Sequence, residues 1–219
     1  MHNDLTIIFL TINQVPEQWA RYQKSILLEA IGDTPVITIS RLPLDWGTNL
    51  IQDAEPSIPN IYRQILRGSK LAITPYIGIA EDDNLYHKEH FLYRPPDMNT
   101  YAYDGHRWGI FTWGPPTYYH KDRIVNASMI APRELVVKSL EERFRRYPNT
   151  NIGELGKEKG TVLDRHNTVI YWSTIGMVFF SHVNALDHLE RTKRKRMGMV
   201  RAFDIPYWGR SEELIKHFV

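Results

Sequence analysis

Three carboxylates in succession, Glu81-Asp82-Asp83, are the residues of this sequence best placed to do chemistry. Like charges repel and acidic residues disfavour a strand, yet the triplet directly follows the apolar run Tyr76-Ile77-Gly78-Ile79-Ala80. A carboxylate cluster at the C-terminal end of a buried parallel strand lies where open α/β sheets bind ligands. Along an extended backbone, alternation would point Glu81 and Asp83 to one side and Asp82 to the other. Two same-side carboxylates offer hard oxygens to Mg²⁺ or Mn²⁺, which typically take one or two carboxylates plus phosphate oxygens. The plainer alternative is a solvated turn after a strand.

The elements that would position this triplet are legible upstream. Thr6 to Ile12 is nearly all apolar and rich in β-branched residues, as in a strand covered on both faces. Pro16 suits the first turn of a helix, Trp19, Tyr22, Ile26 and Ala30 recur at helical spacing, and Gly32 supplies a stop. Pro35 to Ser40 is a second short strand, 41–57 reads as a loop, Ile58 to Ser69 as a helix, and Tyr76 to Ala80 as a third strand. This is a Rossmann-type start with a mostly parallel sheet. Beyond residue 85 the expected elements are strands at Trp108–Trp113 and Ile124–Ala131, a helix from Pro132, one long strand from Val169 to Phe180, and a short last helix capped by Ser211. No repeat or low-complexity segment interrupts the 219 residues, so a single domain over 1–219 is expected, with a nucleotide-type half (1–90) and a second half (91–219).

Composition narrows the chemistry. With no cysteine, a disulfide scaffold, a Cys-based zinc site, an iron–sulfur cluster and a thiol nucleophile are excluded. Lys and Arg number 27 against 25 Asp and Glu, so the net charge of +2 does not by itself imply a nucleic-acid partner. No apolar run approaches the roughly 18 residues of a membrane span. Met1-His2-Asn3-Asp4-Leu5 lacks the basic start of a signal peptide, so a cytoplasmic protein, of a bacterium or of a virus-infected host cell, is expected. Surplus Tyr and Trp between residues 86 and 119 suit a surface that stacks on ring-shaped ligands, with ordinary core packing as the alternative.

The β-α-β start with Asn13 after the first strand, followed by a helix and an apolar strand ending in Glu81-Asp82-Asp83, resembles the GT-A nucleotide-sugar-dependent glycosyltransferases, of the family-2 type. Later, Val178-Phe179-Phe180-Ser181-His182-Val183-Asn184 and the basic run Arg191-Thr192-Lys193-Arg194-Lys195-Arg196 are similar to that family's strand ending in His and the basic loop after it. The resemblance implies an α/β, GT-A-like fold and transfer of a sugar, with a UDP-sugar as leading donor, to a hydroxyl acceptor. It implies a Mn²⁺ or Mg²⁺ ion held by an Asp-x-Asp-like motif, here Glu81 to Asp83, with Asp83 as direct ligand and His182 completing the site. A neutral imidazole is a good ligand for such an ion; His166 and His188 are rivals, and a histidine packed at a strand end is the alternative. Asn13, Asp53, Glu81 and Asp82 would face the donor, and Lys193, Arg194 and Arg196 would grip its diphosphate. Glu154 would be the base that takes the acceptor's proton, in competition with Asp122 and Asp164. Tyr101, Tyr103, Trp108 and Trp113 would form the acceptor wall, facing a glycan or a hydroxymethylated base in DNA. Arg107, His106 and Lys121 would add to a DNA-facing surface. Two other functions use the same residues: a metal-dependent nuclease or phosphohydrolase, and a non-catalytic binder of nucleic acid or carbohydrate.

Overall fold

The computed structural model describes residues 4–121, 124–148, 167–184 and 200–219. Two sheets dominate. The larger has seven strands: β1 (Leu5–Leu10), β2 (Val36–Ser40), β3 (Thr48–Ile51), β4 (Tyr76–Glu81), β6 (Thr100–Asp104), β9 (Met129–Pro132) and β10 (Asn167–Tyr171). Their order is β10-β6-β9-β4-β1-β2-β3, and all are parallel except β9. The smaller sheet has the order β12-β8-β7-β11-β5. Its strands are β5 (Asn84–Leu85), β7 (Arg107–Phe111), β8 (Tyr118–Lys121), β11 (Met177–Ser181) and β12 (Arg201–Ala202). The mixed α/β architecture with a mostly parallel main sheet is the one the sequence led us to expect.

Alternation along β1 distributes the core. Ile8 packs on one face of the large sheet with Ile65 of α2 (Ile58–Leu71) and Leu135, Val136 and Leu140 of α4 (Arg133–Arg146). Leu5, Ile7 and Phe9 pack on the other face with Leu27, Ala30 and Ile31 of α1 (Glu17–Ile31). A third cluster joins the small sheet to the C-terminal segment through Trp19, Val178, Phe180, Trp208 and Phe218. Helix α1 ends where Gly32 takes a positive φ of 55° and its N–H reaches Leu28 O at 2.9 Å. Helix α2 starts with Ser57 accepting from Asn60 N at 3.2 Å. Its Gly68 lets the helix approach β1 closely, since a Cβ there would lie 2.8 Å from Ile8 Cγ2.

Several expectations are corrected. The stretch 41–57 is not wholly loop, because β3 adds a short edge strand. The run from Val169 to Phe180 is two strands, β10 in the large sheet and β11 in the small one, split at 172–176. Ser211 caps nothing: it is the first residue of the four-residue helix Ser211–Leu214, and its hydroxyl instead donates to Pro116 O at 2.7 Å. Among the described residues no helix is long and apolar enough to cross a membrane.

Candidate active site

Six parallel strands of the large sheet end on one edge, and β4 delivers Glu81 there. The chain then turns at Asp82 and Asp83 and leaves in β5, antiparallel to β11 of the other sheet. The triplet is therefore a tight turn between two sheets, and strand alternation does not govern where its side chains point. Its backbone is pinned on several sides. Asp82 N donates to Leu10 O (3.2 Å), Glu81 N to the Tyr86 hydroxyl (3.0 Å), and Phe180 N to Asp83 O (2.8 Å). From α1, the Trp19 indole donates to Asp82 O (2.7 Å) and Gln23 Nε2 to Asn84 O (3.1 Å).

The side chains are less well compensated. The Asp82 carboxylate accepts from the Thr11 hydroxyl at the end of β1, and the Asp83 carboxylate from Asn84 Nδ2. Burial pushes the Glu81 carboxyl up to about 7; the Asp82 charge adds to this, and the Arg107 guanidinium pulls the other way. Burial raises Asp82 to about 6 against the Thr11 hydrogen bond. Asp83 is held well above the usual carboxylate range by burial and then by the charges of Glu81 and Asp82. Three acids, each half-buried, thus crowd one turn. Beside them, Asn84 Oδ1 is buried and has no hydrogen-bond partner.

This donor set, all hard oxygens with surplus negative charge, fits a divalent cation of the Mg²⁺ or Mn²⁺ kind. Among the described residues, no group of three or more His, Cys, Asp and Glu side chains is gathered closely enough to hold such an ion unaided. Glu81, Asp83 and His182 therefore do not form a ready three-ligand set. His182 follows β11, is 7% exposed, and packs its ring 5.2 Å from that of Phe218; burial lowers its pKa, which leaves it neutral at pH 7.

Asn13 lies at the same edge with φ 57°, and its Oδ1 accepts from Arg41 N and Leu42 N at 2.9 Å each, tying the end of β1 to the chain after β2. Asp53, two residues past β3, is exposed. Tyr101 and Tyr103 are wholly buried, and the Tyr101 hydroxyl is spent on Ser139 Oγ at 2.6 Å. They are core residues under α4 and cannot line an acceptor wall. Trp108 and Trp113 remain half-buried, the Trp108 indole donating to His106 Nε2 at 3.1 Å. Arg107 is no surface cation: it is 5% exposed, with its guanidinium 5.0 Å from the Phe179 ring centre. Glu154, Lys193, Arg194 and Arg196 lie outside the described residues, as do Asp122, Asp164, His166 and His188.

Sequence reasoning missed Thr11 and the segment around Trp172, and read Arg107 as a cation of a DNA-facing surface rather than as a partner of Glu81. Thr11 carried a faint signal as a hydroxyl at a strand end. Arg107 carried none, because the partner that makes it part of the site is distant in sequence.

No protein-family model and no curated protein matches the chain. Among solved structures it is similar to a glycosyltransferase involved in the glycosylation of the major capsid of PBCV-1, at 14% identity and TM-score 0.48, over 90% of this chain and 99% of that one. It is also similar to TarS of S. aureus, at 10% identity and TM-score 0.48, over 81% of this chain and only 36% of that one. A third is Drosophila β1,4-galactosyltransferase 7 with manganese, UDP-Gal and xylobiose, at 11% identity and TM-score 0.42, over 97% and 79% of the two chains. Two of these three are glycosyltransferases by name, at a likeness too loose to carry an assignment, which must rest on the site itself.

Proposed function

We propose that this chain is a metal-dependent glycosyltransferase that moves a sugar from a nucleotide-sugar, a UDP-sugar foremost, to a hydroxyl of a glycan or of a hydroxymethylated base in DNA. The observation that carries the reading is the Glu81-Asp82-Asp83 turn. Three crowded carboxylates with raised pKa values stand at the ligand-binding edge of a parallel sheet, beside an orphaned amide oxygen.

Glu81 and Asp83 are the residues that would hold Mn²⁺ or Mg²⁺, with donor phosphates completing the coordination. The ion would supply positive charge to the diphosphate as the glycosidic bond breaks. Asp82 serves differently: its carboxylate is engaged by Thr11, so it fixes the turn and keeps its neighbours in place. Asn13 orders the chain after β2, where the donor's base and ribose would rest, and Asp53 would also face the donor. Lys193, Arg194 and Arg196 would neutralise the departing diphosphate. Glu154 would take the acceptor proton. His182 stays neutral and would serve as a further ligand. Trp108 and Trp113 would face the acceptor.

Hydrolysis of UDP-, GDP- and dTDP-sugars with Mn²⁺, with Mg²⁺ and with EDTA tests the reading. We expect metal-dependent hydrolysis of one donor class, reduced more than about 100-fold by Asp83→Asn, which keeps the volume and removes the charge. Turnover of no nucleotide-sugar, or near-normal turnover by Asp83→Asn, would overturn it.

A further inference from the structure

Trp172 is the first residue after β10, and 59% of it is exposed. Single exposed apolar residues need no explanation, but this one belongs to a built assembly. Its indole stacks on His120 (5.6 Å, 14°), and Trp108 meets the same His120 edge-on (5.1 Å, 74°). The Trp108 indole only donates, so His106 Nε2 accepts from it, and the proton on His106 Nδ1 goes to Ser173 O at 2.8 Å. Gly105 lies beneath, where a Cβ would come within 3.1 Å of the Trp172 ring.

The segment that carries Trp172 is fastened at three points. Ser173 Oγ donates to Asp104 Oδ2 (2.7 Å), Thr174 N to Glu89 Oε2 (2.9 Å), and the Trp208 indole to Gly176 O (2.6 Å). Asp104 is itself braced by the buried His90, with Nδ1 3.2 Å from Oδ2. A large flat side chain is thus held still in water, a pre-organised state that lowers the ordering cost of binding.

Its position says what it faces. Strand β10 is parallel to β4, so Trp172 and the carboxylates share one edge of the sheet. The two strand ends are three ladder steps apart in the order β10-β6-β9-β4, about 14 Å at the usual strand spacing. That is farther than one sugar ring spans. A pyranose presents an apolar C–H face to an indole and hydroxyls at its rim, and polar imidazoles border this platform.

We propose that the Trp172–His120 stack is a distal subsite for a pyranose ring of an oligosaccharide acceptor, so that the enzyme favours acceptors of two or three rings over single sugars. The inference rests on the glycosyltransferase reading. The test uses the full chain, Trp172→Ala and Trp172→Phe, all checked for an unchanged Tm. It follows donor hydrolysis, and transfer to mono-, di- and trisaccharides of glucose, galactose and xylose. Titration of the trisaccharides against indole fluorescence gives a readout independent of turnover. We expect Trp172→Ala to raise KM for the longer acceptors about 10-fold, as for loss of a stacking aromatic, and to abolish their fluorescence titration. Donor hydrolysis and the monosaccharide KM should not change, and Trp172→Phe should retain most of the binding. Equal effects on short and long acceptors, or none, with donor hydrolysis intact, would overturn the subsite and spare the wider reading. Absence of donor hydrolysis in the parent chain would overturn both.

Discussion

At the scale of single residues, the site is a problem of charge. Glu81 is raised first by burial and then by Asp82, and the force that opposes them is Arg107. Arg107→Met keeps a long apolar stem over Phe179 and removes the cation. Glu81 should then hold its proton to higher pH. Any metal-dependent signal, whether donor hydrolysis or Mn²⁺ binding followed by calorimetry, should show its acid limb moved upward by a measurable fraction of a pH unit or more. A limb unmoved by the substitution would detach Arg107 from the site. The triplet was plain in the sequence because three adjacent acids after an apolar run break β propensity. Arg107 was not, since its meaning comes from Glu81, which is brought to it only by the fold. The same blindness turned Tyr101 and Tyr103 into candidate ligand contacts: a tyrosine in a buried strand and one on a binding face read alike until packing separates them.

Among the elements, those with a strong local signal are where the sequence placed them. Strand β1, helix α1 and helix α2 are set by apolar periodicity and by Gly or Ser at their ends, and long-range contacts change little. The errors fall where partners far along the chain decide. The apolar run ending at Phe180 breaks at 172–176 because Asp104 and Glu89, some seventy to eighty-five residues away, take its polar backbone and Ser173. β3 escaped notice as a four-residue edge strand with little apolar content. Helix–sheet contact offers a test at this scale. In Gly68→Ala the new methyl would sit 2.8 Å from Ile8 Cγ2, within the core shared by α2, α4 and the large sheet. Overpacking should outweigh Ala's better helix propensity and destabilise by about 1–3 kcal/mol, read as a lower urea midpoint with an unchanged slope. A gain in stability would mean that α2 can slide away from β1 at little cost.

For the whole molecule, the raised carboxylates link stability to pH. In the unfolded chain these acids ionise near their ordinary values, whereas in the metal-free fold Glu81 and Asp82 ionise only near about 7 and about 6. Between pH 4 and 7 the folded state therefore holds more protons, and stability falls as pH rises through this window. His182, depressed by burial, opposes this below about pH 6.5, where the unfolded chain gains its proton first. Three acids against one histidine should leave the carboxylates dominant. The Tm in EDTA is expected to be several degrees higher near pH 5.5 than near pH 7.5, and Mn²⁺ should recover the loss at the higher pH. A Tm that climbs steadily to pH 7.5 without metal would show that the three carboxyls are solvated and ordinary.

The chain passes from the large sheet to the small one at Asp82-Asp83, at Gly105-His106 and at 172–176, and each crossing carries part of the proposed binding edge. The edge is thus a seam, and whatever fills it acts as a rivet between the two sheets. Amide exchange would register this directly: a ligand that spans the seam should slow exchange in β1 and β4 together with β7 and β11.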